Sequence, residues 1–164
     1  MQFLFLVLLA ICSLAIGGNV IVLDNTNFEH DTQAATGGTT GPWFVKFYAP
    51  WCGHCKNLEP VWEEVSNRLL GEVNVAKVDV TKSNSLGVRF GIKGYPSLKL
   101  IRDGKVYSFP KTQRRIADEL VQFALEGYRE NDDADIELVP GEMGFFGQIA
   151  RLWTDFWALA RQEW

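Results

Sequence analysis

Residues Tyr48–Lys56 of this 164-residue chain have the sequence YAPWCGHCK, which places two cysteines, Cys52 and Cys55, three positions apart. The stretch follows an aromatic and nearly continuous apolar run, Trp43–Tyr48, which is typical of a strand covered on both faces. After the second cysteine, apolar side chains recur at helical spacing up to Gly71, a common helix stop. They are Leu58, Val61, Trp62, Val65, Leu69 and Leu70. The CxxC stretch is therefore predicted to join a buried strand to the start of a helix.

A cysteine at a helix start points to redox chemistry. The thiolate, rather than the thiol, is the nucleophile in disulfide exchange. Free backbone N–H groups and the positive end of the helix dipole favour an anion at Cys52, and His54, next to Gly53, offers a second stabilising partner. Cys55 lies one helical turn further on, where it is predicted to resolve a mixed disulfide. The expected oxidised form is a Cys52–Cys55 disulfide.

Two other uses of the cysteine pair are less favoured. A CxxC disulfide closes too short a loop to constrain the unfolded chain much, so it is a poor structural staple. A structural zinc site needs two further ligands, and the chain has only two histidines, His30 and His54. We therefore predict a redox pair that needs neither a metal nor an organic cofactor.

The first seventeen residues are typical of a secretory signal peptide. They hold an apolar run, no charged side chain, and small residues near their end. Cys12 lies within this segment and is predicted to be removed with it. An uncleaved anchor is the alternative, because a basic stretch at the start is missing. A secretory compartment is oxidising, which suits a disulfide.

The rest of the chain alternates strands and helices. The predicted strands are Val20–Leu23, Trp43–Tyr48, Val73–Val80, Ser97–Ile101 and Lys105–Phe109, and the predicted helices are Asn27–Ala35, the one after the cysteines, Ser83–Gly91 and Ile116–Leu125. The last two strands flank the turn Arg102–Gly104 and form a hairpin. This order predicts an α/β sandwich with a mixed sheet.

Charge separates a domain from a linker. Residues 18–128 carry nearly equal numbers of basic and acidic side chains, which gives no footprint for nucleic acid. Residues 129–142 carry six acidic residues and one basic residue. We interpret residues 129–143 as a solvated acidic linker.

Residues 144–164 are predicted to form an amphipathic helix with a wide aromatic face. Arg151 and Asp155 interrupt the face, and the apolar run is too short to cross a bilayer. Three interpretations stay open: the helix lies in a membrane interface, docks on a partner protein or second copy, or folds back over the domain.

The chain resembles thioredoxin-fold domains of the protein disulfide isomerase family. The resemblance covers about residues 19–128 and is carried by the stretches LDNTNF, FYAPWCGHCK, AKVDVT and GVRFGIKGYPSLKLI. It implies a thioredoxin-like three-layer sandwich in which Cys52 is the nucleophile and Cys55 the resolving thiol. It also implies that Pro96 follows a cis peptide bond and faces the cysteines, although the sequence alone favours an ordinary trans turn. Tyr95 and Trp51 are the implied substrate-binding neighbours, with a core position as the alternative for Trp51.

Two further site residues come from the resemblance. An arginine near the start of the last helix is expected to act on the resolving cysteine, and Arg115 matches better than Arg114. Lys46 stands where family members usually carry a buried acid, so the chain departs from the family pattern there. Lys77 supplies the usual neighbouring lysine. Because two buried ammonium groups repel, we predict that one is neutral or reaches solvent, and snorkelling of Lys46 to the sheet edge is the alternative.

These features predict a thiol–disulfide oxidoreductase that forms, reduces or isomerises disulfides in client proteins. The expected location is the lumen of the endoplasmic reticulum or another secretory compartment, with membrane association through residues 144–164 as a further expectation. The alternative is an adaptor or holdase that binds clients and whose redox activity is incidental.

Overall fold

The computed structural model describes residues 20–36, 40–130 and 136–141 of the chain. Within these ranges the strands are β1 (Ile21–Leu23), β2 (Trp43–Tyr48), β3 (Asn74–Asp79), β4 (Ser97–Arg102), β5 (Lys105–Ser108) and β6 (Ile136–Leu138). The α-helices are α1 (Phe28–Thr32), α2 (Gly53–Arg68), α3 (Asn84–Arg89) and α4 (Ala117–Leu125), with 3-10 turns at Ala34–Thr36 and Gly127–Glu130. The predicted signal peptide and C-terminal helix lie outside the described residues.

The strands form one mixed sheet in the order β1-β3-β2-β4-β5-β6. Strands β1, β3 and β2 run parallel, and β4 is antiparallel to β2, β5 to β4 and β6 to β5. Parallel neighbours need long crossover connections, which α1 and α2 provide. The predicted mixed sheet is confirmed.

Two apolar layers cover the sheet. Because side chains alternate along a strand, Phe44 of β2 packs with Trp62 of α2 and Phe123 of α4, whereas Val45 and Phe47 face α1 and α3. Strand β2 is therefore buried on both faces, as its composition predicts. The result is a three-layer sandwich with β2 at its centre.

Two local turns follow the sequence prediction. The β4–β5 connection has Asp103 and Gly104 at φ values of 52° and 70°, the left-handed pair that a two-residue hairpin requires. Gly71, at φ 85°, follows the end of α2 where the chain reverses toward β3.

The interpretation of residues 129–143 as a solvated linker is wrong for residues 136–141. Residues Ile136–Leu138 form β6, which pairs with the edge of β5. Beyond it, Val139 packs against the cluster under α1 and α3, and Arg89 Nε donates a hydrogen bond of 2.8 Å to the carbonyl oxygen of Pro140. The short apolar stretch was obscured in the sequence by the acidic residues around it.

Arg89 holds this segment from a buried position. Its side chain is 5% exposed and lies 5.5 Å and 5.2 Å from the ring centres of Phe28 and Phe90. One guanidinium nitrogen pairs with a carboxylate oxygen of Glu29 at 2.5 Å. A buried cation that keeps its partners is tolerated, whereas the loss of one partner is costly.

No helix among the described residues has both the length and the apolar character needed to pass through a bilayer.

Replacing Arg89 with methionine leaves the Glu29 carboxylate without its cation and frees the Pro140 carbonyl. We expect the free energy of unfolding to fall by about 3 kcal/mol in urea denaturation. Proteolytic cleavage within residues 136–141 should also become faster. Arg114→Met is the matched control, because Arg114 forms an exposed ion pair with Glu119, and its loss should cost no more than about 0.5 kcal/mol. Equal losses for the two variants would contradict the role assigned to Arg89.

Candidate functional site

Helix α2 begins at Cys52, which occupies its N-cap position with extended backbone angles (φ −76°, ψ 112°). The turn out of β2 is fixed by a hydrogen bond from the Cys52 amide to the Ala49 carbonyl oxygen at 3.0 Å. The Cys52 sulfur accepts a hydrogen bond of 3.2 Å from the Cys55 amide, which also donates to the Cys52 carbonyl oxygen at 3.1 Å. The sulfur therefore lies where backbone N–H groups and the helix dipole favour negative charge.

Cys52 and Cys55 form the predicted disulfide, with their Cα atoms 5.3 Å apart. Cys52 is 7% exposed and Cys55 only 2%, in a small cluster with Ala49, Tyr48 and Tyr95. An attacking sulfur from another molecule therefore meets Cys52 first. This difference in exposure supports the assignment of Cys52 as the nucleophile, which stays a prediction.

The loop before β4 covers the disulfide. The Tyr95–Pro96 peptide bond is cis, so the cis bond that the resemblance implies is confirmed and the ordinary trans turn is wrong. Pro96 is buried, and Tyr95 packs against the cysteine cluster. The pairing of Phe47 in β2 with Ser97 in β4 brings this loop to the end of β2, where the CxxC begins.

Trp51 is 72% exposed, so the alternative of a core position is wrong. Its ring meets the Tyr95 ring edge to face, with centres 5.8 Å apart and planes at 82°. The two rings form an apolar surface beside Cys52, and exposed aromatic rings of this kind are typical of binding surfaces.

Gly53 and His54 are both exposed. A Cβ atom at position 53 would meet no heavy atom within 4 Å, so space alone does not require glycine there. Within the described part of the chain, the side chain of His54 has no hydrogen bond or ion pair. The stabilising role of His54 therefore stays a prediction about the reduced state.

The two arginines before α4 differ in their partners. Arg115 is half-buried, and its Nη2 donates a hydrogen bond to the Pro96 carbonyl oxygen at 3.2 Å. Arg114 is exposed, and its Nε lies 3.0 Å from a Glu119 carboxylate oxygen. The structure thus brings Arg115, rather than Arg114, to the loop that covers the cysteines, while its action on Cys55 stays a prediction.

Lys46 lies in the middle of β2 with its side chain fully buried, so the alternative of snorkelling to the sheet edge is wrong. Register pairs it with Lys77 of β3, which is 25% exposed. The carboxylate of Glu59 on α2 lies between the two lysines. Its Oε2 atom is 2.5 Å from the Lys46 ammonium nitrogen, and its Oε1 atom is 2.5 Å from the Lys77 ammonium nitrogen. Repulsion between the lysines is thus offset by a shared anion.

Glu59 is the site residue that sequence reasoning missed. It lies four residues after Cys55, a spacing that places both residues on the same face of a helix. That spacing was the available signal, but it does not show that β2 and β3 each direct a lysine toward that face.

The three ionisable groups of this Lys46–Glu59–Lys77 triad differ in how their surroundings shift their pKa values. Burial lowers the pKa of Lys46, and the hydrogen bond and charge of Glu59 only partly offset this. The Glu59 hydrogen bond raises the pKa of Lys77 above its usual value, against a smaller effect of burial. Burial pushes the pKa of Glu59 upward, but the two lysines outweigh it and the pKa lies below its usual value. Lys46 is therefore the lysine that gives up its proton more readily.

Replacing Glu59 with glutamine leaves Lys46 buried without an anion. We expect the free energy of unfolding at pH 7 to fall by roughly 3 kcal/mol, because an unpaired buried charge is costly. The matched control on the same helix is Glu64→Gln, which removes only a surface pair with Arg68 and should cost about 0.3–0.5 kcal/mol.

The difference in the free energy of unfolding between the starting protein and Glu59→Gln should also become smaller as pH rises from 7 toward about 10. Without Glu59 the pKa of Lys46 falls further below its unfolded value of about 10.4, so the unfolded chain binds more protons and rising pH favours the folded state. Urea unfolding at several pH values measures this. A deficit that is constant or grows with pH would contradict the pairing.

Comparison with known proteins places the fold in a family. The thioredoxin family profile matches residues 19–126. A Theileria parva protein described as "Thioredoxin domain-containing protein" is 45% identical over 132 residues, which cover 80% of this chain and 58% of that protein. Human "Protein disulfide-isomerase TMX3" is 44% identical over 87 residues, 50% of this chain and 18% of that protein. The chain thus spans less than two thirds of either relative.

Among solved structures, the J-Trx1 fragment of ERdj5 superposes with a TM-score of 0.57 at 31% identity, covering 67% of this chain and 52% of that one. The thioredoxin family profile covers more than half of the 164 residues. The chain therefore belongs to the thioredoxin family, and its domain is of the protein disulfide isomerase type.

Proposed function

We propose that this chain is a secretory-pathway thiol–disulfide oxidoreductase that forms, reduces or isomerises disulfides in client proteins. The observation that carries the proposal is the Cys52 sulfur at the first turn of α2, slightly exposed between the cis-Pro96 loop and the Trp51 ring. Similarity to proteins described as protein disulfide isomerases supports the reaction class.

The proposed order of steps follows from the different exposure of the two cysteines. In the reducing direction, the Cys52 thiolate attacks one sulfur of a client disulfide, and the other client sulfur leaves as a thiolate. The Cys55 thiolate then attacks the Cys52 sulfur, forms the internal disulfide and releases the client as a dithiol. Two electrons pass from the protein to the client, and the reverse sequence oxidises a client. These steps require no metal ion or organic cofactor.

Cys55 must lose a proton before it attacks, and its burial disfavours the thiolate. We assign Lys46 to this step because it is the triad lysine with the lowered pKa and lies on the β2 face that α2 covers. The lowered pKa increases the fraction of Lys46 that is present as the neutral amine, and this fraction accepts the proton, while the half-exposed Glu59 carboxylate connects it toward solvent. Lys46 thus takes the place of the buried acid described for the family.

The proposed location is a secretory compartment such as the lumen of the endoplasmic reticulum. The apolar, uncharged first seventeen residues support it, and disulfide-containing client proteins occur in such oxidising compartments. Attachment of residues 144–164 to a membrane surface or partner protein is a further proposal that rests on the sequence of that segment.

Cys52→Ser should lower the rate of insulin reduction by at least about 100-fold, because the attacking thiolate is removed. Cys55→Ser should retain the attack but accumulate a mixed disulfide with the client, visible as a heavier band on a non-reducing gel. Wild-type activity in Cys52→Ser would leave only the client-binding adaptor or holdase.

Lys46→Met should slow resolution of the mixed disulfide by at least about tenfold near pH 7, while its formation by Cys52 changes little. The deficit should diminish at higher pH, where the Cys55 thiol ionises without help. Single-turnover quenching with a disulfide-linked peptide measures both steps. Lys82→Met, at an exposed lysine, is the control, and an unchanged resolution rate in Lys46→Met would remove Lys46 from the mechanism.

A further inference from the structure

A cleft of about 850 Å³ opens beside the cis-Pro96 loop. It is lined by residues of that loop between Gly91 and Pro96 and by the segment between β5 and α4 that includes Pro110 and Thr112. The neighbouring ends of β4 and β5 complete the lining, together with Glu137. Because Tyr95 lines the cleft and also packs against the cysteine cluster, the cleft adjoins the surface around Cys52.

The cleft is strongly basic. Four basic side chains line it against one acid; the basic residues are Lys93, Lys99, Lys111 and Arg115, and the acid is Glu137. The whole chain has a formal net charge of −4, so this local excess of positive charge is opposite in sign to the net charge of the chain.

The basic residues are not equally available. Arg115 donates to the Pro96 carbonyl oxygen, and the ammonium nitrogen of Lys99 lies 3.8 Å from a Glu137 oxygen. Lys93 and Lys111 are exposed on two different lining segments, and no salt bridge within the described ranges involves them. These two lysines are therefore placed to meet an anionic group that enters from solvent.

We propose that the cleft binds an acidic segment of the client chain, with aspartate or glutamate residues a few positions from the cysteine that reacts with Cys52. This inference rests on the proposed oxidoreductase function and adds a substrate preference to it. An extended chain advances about 3.3 Å per residue, so a client joined to Cys52 and passing Tyr95 reaches the cleft within a few residues. Client carboxylates then lie between Lys93 and Lys111.

The charge distribution favours a peptide segment as the occupant. A cleft lined by one sign of charge raises the local concentration and the association rate of an oppositely charged ligand. The cleft also lies along the path of a chain held at Cys52, and its apolar lining of Tyr95, Leu98 and Phe109 suits the side chains between acidic residues.

The test measures formation of the mixed disulfide in the full chain carrying Cys55→Ser, which stops the reaction at that stage. Three peptides of equal length carry one cysteine activated as its thionitrobenzoate disulfide, flanked by aspartate, serine or lysine residues. Attack by the Cys52 thiolate on the peptide sulfur forms the mixed disulfide and releases the coloured thionitrobenzoate anion, and mass spectrometry verifies the adduct.

At low ionic strength the aspartate peptide should react about tenfold faster than the lysine peptide, within the range expected for electrostatic steering. The ratio should approach one in about 0.5 M salt, because exposed charges are then screened. Lys93→Glu/Lys111→Glu should abolish or reverse the ratio. Lys105→Glu, at the far end of the β4–β5 hairpin, should leave the ratio unchanged.

A ratio near one in the starting protein, or a ratio that neither salt nor the double substitution alters, would overturn the proposed preference. The serine peptide separates this outcome from failure of the underlying function. If it forms no adduct with Cys52, the oxidoreductase proposal fails; if it reacts while the charged peptides react equally, only the acidic preference fails.

Discussion

The junction between β2 and α2 is the constraint on which the rest of the site depends. Strand β2 is buried on both faces, which holds its end in place. Just after it, the Cys52 amide donates a hydrogen bond to the Ala49 carbonyl oxygen, and this turn places the start of α2 at the cysteine. The sulfur then caps the helix itself, accepting the Cys55 amide. Negative charge on sulfur is favoured at this position by the N–H groups of the first helical turn and by the positive end of the helix dipole.

The position of the junction within the sheet decides what surrounds the sulfur. Strand β4 runs antiparallel to β2, and the pairing of Phe47 with Ser97 brings Pro96 to the end of β2. Arg115 then fastens the same loop from the start of α4. The Cys52 sulfur, the loop beside it and the basic cleft beyond that loop are thus neighbours because of strand register.

Beneath α2, the core contains a buried lysine that is stabilised by an ion pair. Lys46 interrupts an otherwise apolar strand and is fully buried, a position that an isolated ammonium group rarely occupies. It is tolerated because Glu59 reaches it from the helix and reaches Lys77 at the same time. The triad therefore links the core strand to the helix that carries both cysteines, and the proposed proton transfer uses the same side chains that stabilise the fold.

Local patterns predicted the parts of the structure that depend on a few neighbouring residues. The apolar run of β2, the spacing of α2 and the hairpin turn at Asp103–Gly104 were all visible in the sequence, and the cis bond before Pro96 followed from the resemblance. Glu59 was missed because its partners come from two different strands. Strand β6 was missed because the acidic residues around Ile136 and Leu138 concealed its apolar pattern. The hydrogen bond of Arg89 to Pro140, just beyond the strand, joins residues 51 positions apart.

The most direct test of the central claim is the rate of alkylation of the reduced protein by iodoacetamide as a function of pH, with modification at Cys52 followed by mass spectrometry. If the start of α2 stabilises the thiolate, the rate should reach half its maximum well below pH 8.5, the ordinary value for a free cysteine thiol. A midpoint at or above that value would show that the helix start does not activate Cys52.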